Sequence, residues 1–176
     1  MSHQMNVALQ TVLFEEREIL SNLLEKYNYE FSQYDPRDVN KLGLYGYYLD
    51  SYWTDEMKWP YFITVDTNLA GFILVRNHTL KDWDADFVIS EFFVMYKYRR
   101  SGVGRDALFQ VLGKHCGRWR LCRHPNSASA PFWDSVINKY TNGQYELIRS
   151  HPKIVYNDGT LGDVFLFSSR ETDSAE

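Results

Sequence analysis

Eight residues, Tyr98-Arg99-Arg100-Ser101-Gly102-Val103-Gly104-Arg105, combine two glycines with three arginines. Glycines let backbone N–H groups approach a ligand with no Cβ in the way. Successive N–H groups at the start of a helix form an anion site, aided by the positive end of the helix dipole. Arg99, Arg100 and Arg105 add positive charge around it. The chemistry this suits is the holding of a pyrophosphate. The alternative is an ordinary strand-to-helix turn. Upstream, Glu91 interrupts the apolar run Phe87 to Val94. Alternation along a strand puts it on one face with Phe87, Ile89 and Phe93. A carboxylate among apolar neighbours has a raised pKa, which suits taking a proton from an ammonium. The alternative is a structural Glu bonded to a nearby backbone group or Arg. His124 is the second candidate base, and His78 and His151 have no context that promotes them.

Two common phosphate motifs fit poorly. The dinucleotide pattern G-x-G-x-x-G tolerates Ala107 at its third position, but its strand normally comes early in a βαβ unit. Here the loop lies past the middle of the chain, after segments that read as antiparallel strands. The nucleoside triphosphate loop needs Gly-Lys-Ser or Gly-Lys-Thr, and neither occurs. What remains is R-x-x-G-x-G over Arg99 to Gly104.

The elements that must position these residues follow from periodicity. Val7 to Leu13 reads as a strand. Glu15 to Tyr29 reads as a helix with Ile19, Leu20, Leu23, Leu24 and Tyr27 on one face. Phe31 to Trp59 is aromatic, acidic and irregular, with a short helix near Leu44 to Tyr52. Tyr61 to Val65 and Leu69 to Arg76 form a hairpin about Asp66-Thr67-Asn68. Phe87 to Val94 is the strand that feeds the glycine loop. Val103 to Cys116 has helical spacing, with Gly117 as its stop. Trp119 to Cys122 is a short strand, and Phe132 to Tyr140 marks a helix with Pro131 in its first turn. Tyr145 to Ile148 and Val164 to Phe167 close the chain around the turn Asn157-Asp158-Gly159. The fold class is α/β (α+β), a mixed, mostly antiparallel sheet flanked by helices. One domain is expected over residues 1–170, with 171–176 as a disordered tail.

Loop, preceding strand and one downstream feature together resemble the GNAT superfamily of N-acetyltransferases. The downstream feature is Asn126-Ser127-Ala128-Ser129-Ala130-Pro131-Phe132-Trp133, where an Asn precedes an aromatic pair at the family's spacing. The diagnostic parts cover residues 86 to 148. The resemblance implies acetyl-coenzyme A as co-substrate, held at its pyrophosphate by Arg99, Arg100, Ser101, Gly102, Val103, Gly104 and Arg105. It implies main-chain contacts to the acyl and pantetheine parts from Phe93 and Val94, where the fourth strand splays from the fifth. Asn126 would touch the pantetheine arm, or else cap the loop before a helix. Trp133 stands where many members have a Tyr that protonates the leaving thiolate. An indole N–H donates a hydrogen bond but is no acid near neutral pH. Tyr140 is then the substitute, or thiolate leaves with help from solvent, or catalysis is absent. The last case is a non-catalytic acyl-coenzyme A-binding module. The acceptor is an amine, small molecule or protein, read by residues 44 to 59. Tyr48, Trp53 and Asp50, with Asp55 and Glu56, would favour a cationic one. An aromatic helix covering the sheet is the alternative for that segment.

Bulk properties narrow the class. A length of 176 residues suits one domain with a sizeable core. A net charge of −4 argues against a general nucleic-acid binder. A second basic cluster, Lys114, Arg118, Arg120 and Arg123, is either a solvated edge or a contact to the adenosine phosphate. Two cysteines, Cys116 and Cys122, are too few for a disulfide framework or a zinc site and sit in apolar patterns. Their placement argues for direct attack in a ternary complex rather than a ping-pong route. No metal is called for. No apolar run approaches membrane length and the start does not read as a signal peptide, so a cytoplasmic protein is expected, with a homodimer allowed.

Overall fold

Strands with continuous apolar residues need cover on both faces. Tyr61–Val65 and Ala70–Val75 are buried throughout and receive that cover. The computed structural model describes residues 5–77 and 83–169. The expected tail and His78 lie outside the described residues. In chain order the elements are β1 (Val7–Thr11), a 3-10 turn (Phe14–Glu16), α1 (Arg17–Phe31), α2 (Ser51–Thr54), β2 (Lys58–Val65) and β3 (Asn68–Asn77). Then come β4 (Phe87–Val94), a second 3-10 turn (Tyr96–Tyr98), α3 (Val103–Lys114), β5 (Arg118–Arg123), α4 (Ala130–Thr141), β6 (Tyr145–Ile148) and β7 (Asp163–Ser168).

The strands form one seven-stranded sheet in the order β1-β2-β3-β4-β5-β7-β6. Every pairing is antiparallel except β4 with β5. On one face Ile63, Ile73, Val75 and Ile89 pack with Val103, Ala107, Leu108 and Val111 of α3 and Val136 and Ile137 of α4. On the other, Phe62, Phe72, Leu74 and Phe93 pack with Leu20, Leu23 and Leu24 of α1 and Tyr52 of α2. Among the described residues no helix is long and apolar enough to cross a membrane.

Several expectations shift in detail. Ile19 is 44% exposed, so the buried stripe of α1 starts at Leu20. The hairpin turn has two residues, Asp66 and Thr67, both at positive φ (49° and 70°), which matches the twist of the strands it joins. The helix expected near Leu44 to Tyr52 is a single turn, Ser51–Thr54. The segment before it is held instead by Glu25 of α1, which accepts from the N–H groups of Tyr45 (2.9 Å) and Gly46 (2.8 Å). Helix α3 stops at Lys114, leaving Cys116 exposed beyond it rather than on an apolar face.

Two features of β4 position everything that follows. The first is a register shift. Leu74 faces Glu91 but Val75 faces Ile89, so Ser90 is a bulge. The bulge breaks the alternation, putting Glu91 on the α1/α2 face with Phe93 and leaving Ile89 and Phe87 on the other. The second is that β4 pairs with β5 only through Phe87↔Trp119, Val88↔Arg120 and Ile89↔Leu121. From Ser90 on, β4 keeps β3 and loses β5.

Gly71 secures this end of β4. Any Cβ at Gly71 would overlap the Phe93 carbonyl oxygen. Gly71→Ala must therefore push β4 away from β3. We expect it to destabilise by about 1–3 kcal/mol, the usual penalty of overpacking. Thermal unfolding checks this, and an unchanged Tm would show that the contact is not enforced.

Candidate functional site

The glycine loop lies at the open end of β4. Arg100 (φ 59°) and Gly102 (φ 91°) both take left-handed backbone, and Gly102 caps α3. Only the second position holds the residue that adopts this conformation without strain. Because α3 starts at Val103, the N–H groups of Val103, Gly104 and Arg105 have no helical acceptor. Among the described residues none of the three finds another. Ser101 is engaged, its Oγ donating to the Tyr98 carbonyl at 2.7 Å.

The three arginines have different roles. Arg99 holds the loop. Its guanidinium makes a two-pronged pair with Glu30 of α1 (2.8 and 2.7 Å), stacks on Tyr96 and donates from Nε to the Val94 carbonyl at 2.6 Å. Arg105 pairs with Asp106 at 2.7 Å and folds back toward Gly102. Arg100 is exposed and has no carboxylate partner among the described residues. Gly104 makes room for protein rather than ligand, since a Cβ there would meet the Phe132 ring at 3.2 Å.

Main-chain groups of β4 separate in a useful way. The Phe93 carbonyl is turned toward Gly71 of β3. The C=O and N–H of one trans peptide point in opposite directions. The Val94 N–H therefore points away from β3, into the gap that β5 leaves. With the Val94 carbonyl taken by Arg99, that N–H is the main-chain group of the expected pair that faces the gap. The Phe93 carbonyl does not. Phe132 and Trp133 of α4 line the α3/α4 side of this region. Their rings lie 5.8 and 5.1 Å from Phe92 and 4.9 Å from each other. Trp133 is 7% exposed, a core side chain packed on Phe92 and Phe132.

Glu91 sits on the other side of the sheet at the same end. Burial raises its pKa, and the neighbouring Tyr27 and Tyr47 hydroxyls offset part of that. The Tyr47 hydroxyl donates to it at 3.4 Å. Burial and the Glu91 charge in turn push Tyr47 well above the usual phenol range, so it stays protonated. Glu91 borders a cavity of about 390 Å³ lined by Tyr47, Tyr48, Ser51, Tyr52, Lys58, Arg76 and Ser90. Of the acceptor residues expected from sequence, Tyr48 lines this cavity. Trp53 does not, because its indole donates to the Val12 carbonyl (3.0 Å) and its ring packs on Phe14. Asp50 is exposed at the start of α2, outside the lining. Lys58 and Arg76 were missed. Their meeting depends on the β2–β3 register, in which they face each other.

The remaining candidates resolve by their partners. His124 is 1% exposed. Its Nδ1 accepts from the Asn126 N–H (3.2 Å), so Nε2 carries the proton and donates to Asp158 (3.1 Å). Both nitrogens are occupied in bracing the β5–α4 loop. The Asn126 side chain is exposed and makes no hydrogen bond among the described residues, so it is not a cap. Tyr140 packs edge-on against Phe109, about 12 Å along α4 from Phe132 by helical rise. That distance removes it as the acid at the gap. The second basic cluster is not one site. Arg123 is buried with Asp163 (3.1 Å) and Asp134 (2.8 Å), and Arg118 pairs with Asp84 and Asp86 at the other end of β5.

No protein-family model matches the sequence, and no curated protein matches it. Solved structures do. An acetyltransferase from Thermus thermophilus is similar with a TM-score of 0.66 at 12% identity, over 94% of this chain and 99% of that one. The fold is that of the GNAT acetyltransferases. A Vibrio cholerae spermidine N-acetyltransferase, solved with CoA and spermine, aligns with a TM-score of 0.61 at 10% identity over 93% and 95%. The Escherichia coli ribosomal-protein-S18-alanine N-acetyltransferase aligns at 0.55 and 11% over 97% and 99%. On this GNAT frame the glycine loop and the β4 gap lie at the Val94 end of β4, and the cavity beside Glu91 extends from there toward the Val88 end, where Arg76 and Lys58 pair.

Glu91 leaves a signature in stability. Its folded pKa is raised, so between the unfolded and folded values the folded state binds more protons. Stability is then lost as pH rises through that window. Glu91→Gln removes the buried charge. The Tm advantage of the variant should be small at acid pH and grow as pH rises past the ordinary carboxylate range. A Tm difference that does not vary with pH would place Glu91 in an exposed-like environment.

Proposed function

We propose that this chain transfers an acetyl group from acetyl-coenzyme A to an amine by direct attack in a ternary complex. One observation carries the reading: β5 leaves β4 after Ile89, opening a gap between the bare start of α3 and Glu91. The pyrophosphate would lie on the N–H groups of Val103, Gly104 and Arg105 with Arg100 beside it. Asn126 reaches the pantetheine arm from the β5–α4 loop. The thioester oxygen takes the Val94 N–H, a donor aimed where negative charge develops.

The amine enters from the Tyr47–Tyr48 side. Glu91, made a stronger base by burial, accepts its proton directly or through one water. The C–N bond forms, the C–S bond breaks, and the thiolate leaves. A thiol of ordinary pKa is a tolerable leaving group near neutral pH, and solvent then protonates it. A covalent route finds no nucleophile. Burial pushes the Cys122 thiol up, which weakens it, and Cys116 lies beyond the far end of a helix on the order of 18 Å long.

A second reading, binding without turnover, is favoured by Trp133, which presents no acid at the gap. Titration calorimetry with acetyl-coenzyme A, on the natural chain and on Gly102→Trp, separates the cases. We expect saturable binding that the substitution abolishes while circular dichroism is unchanged. Thiol release in an amine screen should then detect turnover. Glu91→Gln should lower kcat by about 10²–10⁴-fold with little change in acetyl-coenzyme A affinity. Binding without thiol release from any amine would leave the second reading standing. No binding would end both.

A further inference from the structure

The cavity beside Glu91 has an unexpected charge. Lys58 and Arg76 face each other across the β2–β3 ladder, with their side chains lining the same space. Like charges directly opposite in a sheet are destabilising. Asp55, at 3.8 Å from Lys58, offsets part of one charge from the rim. Arg76 has no carboxylate within ion-pair distance among the described residues. The Tyr52 ring lies 5.8 Å from the Lys58 ammonium, a cation–π contact that offsets part of the same charge. Glu91 is the one carboxylate in the lining, and it is held at the inner end by Tyr47. The space therefore has an acidic end and a cationic end.

We propose that the acceptor carries a carboxylate as well as its reactive amine, so that it is an amino-acid-like zwitterion. This rests on the acyl-transfer reading of the same site. The ammonium faces Glu91 and the carboxylate lies between Arg76 and Lys58. A guanidinium fork matches a carboxylate in two parallel hydrogen bonds, and the ammonium of Lys58 adds a point charge. The spacing agrees. Glu91 stands opposite Leu74, and Arg76 is two residues further along β3, about 6.8 Å away at the backbone. Long side chains converge from that separation onto a molecule of a few heavy atoms. A volume of about 390 Å³ is at the small end for ligand pockets and suits such a molecule with its water. A polyamine, with cations at both ends, would place one of them against Arg76.

The test uses matched ligands on the full chain: 4-aminobutyrate against butylamine, glycine against methylamine, and phosphoethanolamine against ethanolamine. Calorimetry measures binding, and thiol release with acetyl-coenzyme A measures transfer on the same samples. We expect a carboxylate member to bind at least tenfold more tightly than its plain amine. Arg76→Gln should reduce that ratio by about ten- to a hundredfold, the usual effect of losing a charged hydrogen-bond partner. Lys58→Gln, at the strand start, should reduce it in the same direction and provides the answer if Arg76→Gln fails to fold. Acetyl-coenzyme A affinity, read at the glycine loop, should not move in either variant. Equal binding of amine and amino acid, or a ratio unaffected by both substitutions, overturns the proposal. A clear preference for phosphoethanolamine overturns the carboxylate assignment. Carboxylate selectivity with no thiol release from these ligands or from any amine of the screen supports the zwitterion site and leaves the binding-only reading standing in place of acyl transfer.

Discussion

Strand β4 has two neighbours at its start and one at its end, and the site follows from that loss. Parallel pairing with β5 lasts three residue pairs, after which Ser90 bulges and the strands part. A sheet interior normally has no free backbone N–H. Here the separation exposes one at Val94, in the middle of the molecule, with a helix start on one side. The same bulge turns Glu91 onto the opposite face from Ile89. The gap and the placement of Glu91 beside its cavity thus come from a single irregularity.

Arg99 then holds the gap open in a defined shape. It ties the Val94 carbonyl, the 3-10 turn and α1 together through Glu30 and Tyr96. Hydrogen bonding to Glu30 raises its pKa further, so the charge is permanent. Arg99, expected beside the phosphates, is engaged as a brace, and Arg100, one residue on, is exposed.

Much of the frame was legible because it depends on local signals. Phe87–Val94 stands where an apolar run of strand length put it, and Val103 begins a helix because a glycine precedes it. The bare N–H groups at the start of α3 follow from those two facts. What was not legible depends on register or on distant partners. The face of Glu91 turns on a bulge that no local pattern announces. Lys58 and Arg76 come together only once the hairpin turn is known to have two residues and the ladder a shift at Ile63/Thr64. Glu30 and Arg99 are far apart in sequence. Trp53 and Asp50 looked like acceptor residues because aromatics and carboxylates favour cations. Tertiary packing instead gave the indole to Val12 and left Asp50 in solvent.

The short β4–β5 seam also bears on how the molecule assembles. Strands β1 to β4 are neighbours in the sheet, and β5 to β7 form a second antiparallel block. The β2–β3 hairpin closes across two residues, so little loop entropy opposes it. The seam joins the blocks across residues 95–117 and gains only three residue pairs for doing so. Contacts that close long loops for small reward form late on a folding route. The gap that would hold the thioester therefore depends on the junction with the fewest residue pairs in the sheet, and amide exchange at Phe87 to Ile89 would read how firmly that junction is closed.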